Sequence, residues 1–139
     1  MITAVDTNIL LDVFGADPKF VEASSSGLRR CRQEGSLVAS DVVWAEAAAA
    51  FGDSQQFLDE MEGLSIAFSS TTRTAALRAA EFWRRYRAAG GSRVRIAADF
   101  LVGAHALVAA DRLLTRDRGF YRRYFAGLRV LDPSASLKP

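Results

Sequence analysis

Short apolar runs alternate with longer stretches of helical periodicity along almost the whole of this 139-residue chain, and that order limits the fold more than any other feature. Runs at residues 2–5, 37–39, 64–68, 112–115 and 128–131 read as short buried strands. Between them lie segments that read as helices. One covers 8–14, and a second opens at Pro18 and stops before Gly35. A third is capped by Ser40 and runs to Phe51, and a fourth is capped by Ser54 and runs to Glu62. A long helix from Thr71 or Thr72 carries Ala75, Ala79, Phe82 and Tyr86 on one face and ends at Gly90-Gly91. Helices over 96–109 and 119–125 complete the set. Such an order predicts an α/β/α sandwich, with a mostly parallel sheet of four to five strands covered by helices on both faces. There is no repeat and no long linker, so residues 1–139 read as a single domain.

Half of the residues are hydrophobic, which excludes intrinsic disorder and supplies a core without disulfides. The lone cysteine, Cys31, has no partner for an internal bridge and reads as a small packed residue, in keeping with a cytoplasmic location. Residues 1–6 lack the basic flank and apolar run of a signal peptide. No run reaches the roughly 20 apolar residues of a membrane span. The most apolar stretch, 100–110, contains His105 and lies between Asp99 and Asp111, as a buried helix would.

In open parallel sheets ligand sites form at the carboxyl ends of the strands, and that rule sorts the acidic residues. Asp6 directly follows the first strand, and Asp117 lies two residues past the fourth. Glu46 sits in the helix entered from the second strand, among apolar neighbours Val42 to Ala49, and is expected to point inward. Asp99 has a similar place at the start of the 96–109 helix. Converging carboxylates repel and need compensation. The chain has only two lysines, Lys19 and Lys138, so a hard divalent cation such as Mg²⁺ or Mn²⁺ is the fitting partner. Each residue also has a structural reading. Asp6, Asp99 and Asp117 could cap helices, and Glu46 could pair with Arg73 or Arg95.

Other polar residues read as structural. Asp12 is expected on a solvated face and Asp111 in a turn. His105 is expected as a core or interface histidine, with Trp44 and Trp83 in the core. The scarcity of lysine also argues against receiver and haloacid-dehalogenase-like phosphoryl-transfer domains, which use one near the phosphate. Charge is unevenly spread: residues 1–70 sum to −7 and residues 71–139 to +9, with sixteen arginines among eighteen basic residues. Arg116, Arg118, Arg122 and Arg123 interleave with Phe120, Tyr121 and Tyr124 beside Asp117, a pattern suited to an RNA backbone. A second group, Arg84, Arg85, Arg87, Arg93 and Arg95, suits either RNA or a protein partner.

The motifs themselves resemble a known family. Asp6-Thr7-Asn8-Ile9-Leu10-Leu11-Asp12 is similar to the opening motif of PIN-domain nucleases. The segments around Glu46, Asp99-Phe100-Leu101-Val102-Gly103-Ala104-His105 and Leu114-Thr115-Arg116-Asp117 resemble the second, third and fourth motifs, in order. At this size the chain looks like the VapC toxins of toxin–antitoxin pairs. That resemblance implies a Mg²⁺- or Mn²⁺-dependent endoribonuclease, acting on RNA such as tRNA or rRNA, inhibited by a VapB-like antitoxin and assembled as a homodimer. It makes Asp6, Glu46, Asp99 and Asp117 the catalytic and metal-binding quartet, with Thr7, Asn8 and Thr115 in support. The alternative is a catalytically silent RNA- or protein-binding module on the same fold.

Overall fold

A computed structural model of the chain describes residues 1–92 and 95–135. The elements run β1 (Ile2–Val5), α1 (Thr7–Phe14), α2 (Val21–Gln33), β2 (Ser36–Ser40), α3 (Asp41–Ala48), α4 (Ser54–Gly63) and β3 (Ile66–Ser69). They continue with α5 (Arg73–Ala88), α6 (Ala97–Ala109), β4 (Arg112–Leu114), α7 (Arg118–Tyr124) and β5 (Val130–Leu131). The five strands form one all-parallel sheet in the order β3-β2-β1-β4-β5. Thr3 on central β1 lies opposite both Leu37 and Arg112, and Val5 lies opposite Leu114.

Local chemistry explains where elements start and stop. Ser40 and Thr72 cap α3 and α5 through bonds from Val43 and Ala75. The cap of α4 is Asp53 rather than Ser54, its carboxylate accepting from Gln55. Pro18 does not open α2. The Asp17 carboxylate accepts from the amides of Lys19 and Phe20 and holds a turn, so the helix starts at Val21. β3 starts at Ile66, two residues later than the apolar run suggests, because Leu64 caps α4 and Ser65 takes a left-handed φ of 56°.

The chain runs outward from β1 through β2 to β3, then returns to add β4 and β5 on the other side of β1. Right-handed crossovers therefore send α1–α4 to one face and α5–α7 to the other. Each face has an aromatic layer. Phe14, Phe51, Phe57 and Trp44 meet edge to face on the first. On the second, Phe82 stacks on Phe125 at 4.5 Å, and Phe100, Phe120 and Tyr86 pack around them. Gly103 lets α6 approach this layer, since a Cβ there would lie 2.5 Å from the Phe125 ring. Among the described residues, no helix is long and apolar enough to cross a membrane.

The reversal of direction puts the topological switch point between β1 and β4. In doubly wound sheets, the crevice outside the carboxyl ends of the two strands flanking that point is where ligands bind. Asp6 follows β1, and Thr115-Arg116-Asp117 follows β4.

Candidate active site

Asp6 is only 8% exposed, at the floor of this crevice. Its Oδ1 accepts from the Thr7 amide at 2.8 Å, and its Oδ2 from Thr115 Oγ1 at 2.7 Å and Asn8 Nδ2 at 3.5 Å. Thr115 in turn accepts from the Asn8 side chain and the Asp117 amide, while Asn8 Oδ1 accepts from the Arg116 amide. Thr7, Asn8 and Thr115 thus lock the start of α1 to the segment that carries Asp117. Burial, foremost, pushes the Asp6 carboxyl up to about 6, and the charges of Asp117 and Glu46 add to it against the bonds from Thr115 and Thr7. Asp6 also caps α1, so its capping and site roles coexist.

Glu46 reaches the same place from α3, where its Oε1 accepts from Thr7 Oγ1 at 2.8 Å. It is an exposed residue, not an inward one. Its alanine neighbours misled the inward expectation. Val43 and Ala47 take the buried face, and Ala45 and Ala49 are exposed beside Glu46. Alanine suits a helix on either side, so it does not report burial.

Asp99 and Asp117 are half-buried and share one cation, Arg95. The guanidinium makes two hydrogen bonds to Asp117, with Nη2 3.1 Å from Oδ1, and its Nη1 lies 3.8 Å from Asp99 Oδ1. The Phe120 ring lies beneath it, 4.1 Å from guanidinium carbon to ring centroid. Asp99 also caps α6 by accepting from the Ile96 amide. Asp117 makes no side-chain cap to α7. Tyr121 reports the convergence from below: burial, with Asp6, Asp99 and Asp117 nearby, holds its phenol well above the usual value.

The quartet therefore stands as two linked pairs, Asp6 with Glu46 through Thr7, and Asp99 with Asp117 through Arg95. Among the described residues, no three carboxylates, histidines or cysteines stand close enough to share one ion. Their chemistry nevertheless fits a hard divalent cation. All four are oxygen donors, Asp6 is buried with neither a cation nor a salt bridge beside it among the described residues, and the Asp99–Asp117 pair already holds a cationic group.

Arg95, read from the sequence as one of a basic group or as a partner for Glu46, instead pairs with Asp117 and Asp99. Its position four residues ahead of Asp99 was the available signal. Asp12 is a second correction. It is 3% exposed rather than solvated, accepts from Ser24 Oγ, and holds Arg116 at 2.7 and 3.0 Å over the Phe20 ring. The Arg116 guanidinium is thus engaged within the fold. Arg122 and Arg123 are exposed on α7 and Arg118 is half-buried at its start. Arg93 lies outside the described residues. His105 is a core histidine, its Nε2 2.9 Å from Ser69 Oγ, and burial holds its pKa below the ordinary value.

Comparison with known proteins places this geometry. No curated protein matches the chain at a significant level. Among solved structures, VapBC2 from Rickettsia felis bound to a DNA fragment from its promoter superposes with a TM-score of 0.74 at 16% identity, covering 95% of this chain and 98% of that one. VapBC-1 from nontypeable Haemophilus influenzae gives 0.72 at 22% identity, over 96% and 99%. A toxin–antitoxin complex from Klebsiella pneumoniae gives 0.67 at 20% identity, over 94% and 97%. At these identities the superpositions establish a shared fold alone. The PIN domain family matches residues 3–126, from β1 through α7 and across all four carboxylates, and the chain belongs to that family.

Proposed function

We propose that this chain is a Mg²⁺- or Mn²⁺-dependent endoribonuclease that acts as the toxin of a VapBC-type pair, with a VapB-like antitoxin as its partner. One observation carries the reading. Two carboxylate pairs, Asp6 with Glu46 and Asp99 with Asp117, line the switch-point crevice of a parallel sheet, and the most buried of the four is lifted to about 6 by burial and by its neighbours. Membership of the PIN family supports the nuclease half, since nucleases of this family are hydrolases. The likeness to VapBC structures and to a toxin–antitoxin complex supports the toxin half.

Asp6, Glu46, Asp99 and Asp117 would hold the ion. A bound Mg²⁺ or Mn²⁺ supplies an activated water and offsets the charge that builds on the phosphate during hydrolysis. The surrounding residues fix the donors. Thr115 and the Thr7 amide leave Asp6 one orientation, and Thr7 Oγ1 holds Glu46 towards it. Arg95, which now balances Asp99 and Asp117, is a cation within reach of a phosphate brought to the same edge.

The test is cleavage of a mixed RNA pool by antitoxin-free protein with Mn²⁺, with EDTA, and as the Asp6→Asn variant. Cleavage in Mn²⁺ alone, lost in the other two, is expected. Equal cleavage in EDTA would sink the metal reading, and RNA binding without turnover in any metal would leave a silent binding module.

A further inference from the structure

A second cavity opens beside the carboxylates, of about 520 Å³, between the end of α5 and the start of α6. Trp83 and Ile96 give it apolar walls, and Arg87, Ser92 and Arg95 give it polar ones. Its size falls in the range of about 300–1,000 Å³ typical of small-molecule sites. Trp83 is rigidly seated, its ring stacked on buried Phe100 at 5.6 Å and 12°. The Arg87 guanidinium lies over the same ring, 5.0 Å from its centroid, so a base stacking on Trp83 takes the place of that guanidinium and leaves it to pair with the phosphate. Ile96, a large apolar side chain, is 58% exposed at the rim. Among the described residues lining the cavity there is no acid and there are two arginines.

The cavity is joined to the acidic edge by one side chain. Arg95 lines it and also bridges Asp99 and Asp117. A ligand with its flat apolar part against Trp83 and Ile96, and its anionic part at Arg87 and Arg95, would present that anion next to the carboxylate cluster. Aromatic platforms flanked by arginines hold single-stranded nucleic acid in this way, with the base stacked and the phosphate paired. We propose that this cavity binds one nucleotide of the RNA strand, seating the base that flanks the phosphodiester to be cut. The proposal rests on the ribonuclease reading above and adds a subsite to it. Because it recognises the base by stacking, it tolerates different bases and sets where the strand lies more than which sequence is chosen.

The test uses the full chain carrying Trp44→Phe, which leaves Trp83 as the sole tryptophan, together with Asp6→Asn to suppress cleavage. Dye-labelled hexaribonucleotides of adenosine and of uridine are titrated in Mg²⁺, following dye anisotropy for binding and Trp83 emission for occupancy of the cavity. Emission should change with the same midpoint as anisotropy. Arg87→Ala and Ile96→Ala, both at exposed positions, should each weaken hexamer binding several-fold, less than the roughly five- to hundredfold of a lost base–aromatic stack. In protein with its carboxylates intact, Arg87→Ala should raise KM by a similar factor while kcat stays within about twofold, since only binding shared by ground and transition states is lost. A hexamer that binds without moving Trp83 emission overturns the proposal, as does Arg87→Ala cleaving with unchanged KM at unchanged positions. Neither result touches the ribonuclease reading. Conversely, Trp83 quenching by RNA in a protein that never cuts would support the cavity and sink the ribonuclease. No hexamer binding at all overturns the cavity, whatever the cleavage assay gives.

Discussion

At the scale of single residues, Asp6 and Arg95 answer the same electrostatic problem in opposite ways. Asp6 is buried with only neutral hydrogen-bond donors, so its carboxyl is raised from 3.8 to about 6. The unfolded chain releases this proton near 4, and the folded chain holds it until about 6. The folded state thus binds more protons across that window, and stability falls as pH rises through it. Above pH 6 the ionised group costs on the order of 3 kcal/mol. In EDTA at pH 7.5, Asp6→Asn should therefore unfold several degrees above the natural protein in a calorimetric scan, and the difference should vanish near pH 4. A lower melting temperature for the variant at pH 7.5 would mean the charge is already compensated. Protons and metal compete for the same oxygens, so Mn²⁺ affinity should fall about tenfold per unit as pH drops below 6. Arg95 is the compensation the other pair already has. Replacing it by Gln should raise Mn²⁺ affinity by roughly two- to fivefold, the scale of a half-exposed ion pair. Titration calorimetry without RNA reads that change directly, and an unchanged affinity would show that the guanidinium and the ion do not share Asp99 and Asp117.

At the scale of elements, what positions the site is the tie between α1, α2 and the β4–α7 turn. Asp12 on α1 takes both a bidentate guanidinium from Arg116 and the hydroxyl of Ser24 on α2. Arg116→Ala would strand a buried carboxylate and should cost roughly 3–5 kcal/mol in urea denaturation. Adding Asp12→Asn should recover part of that loss, because the uncompensated charge is then gone. Additive losses in the double variant would show that the pair is not coupled. This tie was not legible in the sequence, whereas the sheet was. Strand runs, the Ser40 and Thr72 caps and the glycine stops are local signals, and they ordered nearly every element correctly. Asp6 and Asp117 were legible for the same reason, since a residue's place after a strand puts it at the carboxyl edge. Glu46 does stand next to Asp6, through Thr7, but its expected burial was wrong, because an alanine-rich helix has no strongly apolar face to point inward. That Arg116 of sixteen arginines meets Asp12 depends on a contact 104 residues apart, and no spacing rule encodes that.

Over the whole molecule, the split between an acidic first half and an arginine-rich second half acts first inside the fold. Asp12–Arg116 and Glu34–Arg112 each join the two halves, and the Arg112 guanidinium is buried against Glu34 at 2.6 Å and Thr3 at 2.9 Å. These arginines are therefore structural, and an RNA strand would meet a different set. Arg122 and Arg123 remain exposed on α7, just past Asp117. For single strands the logarithm of affinity falls with the logarithm of salt by about 0.7 per phosphate neutralised. Replacing both Arg122 and Arg123 by Gln should thus lower the slope by roughly 1.4 and weaken binding alike for all sequences, if each meets one phosphate. Arg116→Gln should behave in the opposite manner, lowering stability while leaving the salt slope nearly unchanged. A slope that responds to Arg116 and not to the α7 pair would place the strand over α1 and α2 instead. The cavity at Trp83 lies between α5 and α6 and shares Arg95 with Asp117, and the Arg122–Arg123 pair lies on α7, which directly follows Asp117, so one strand at this edge would touch both. Loss of both contacts together, in the quadruple variant Arg87→Ala, Ile96→Ala, Arg122→Gln and Arg123→Gln, should then equal the product of the separate losses, as it does for independent contacts along one chain.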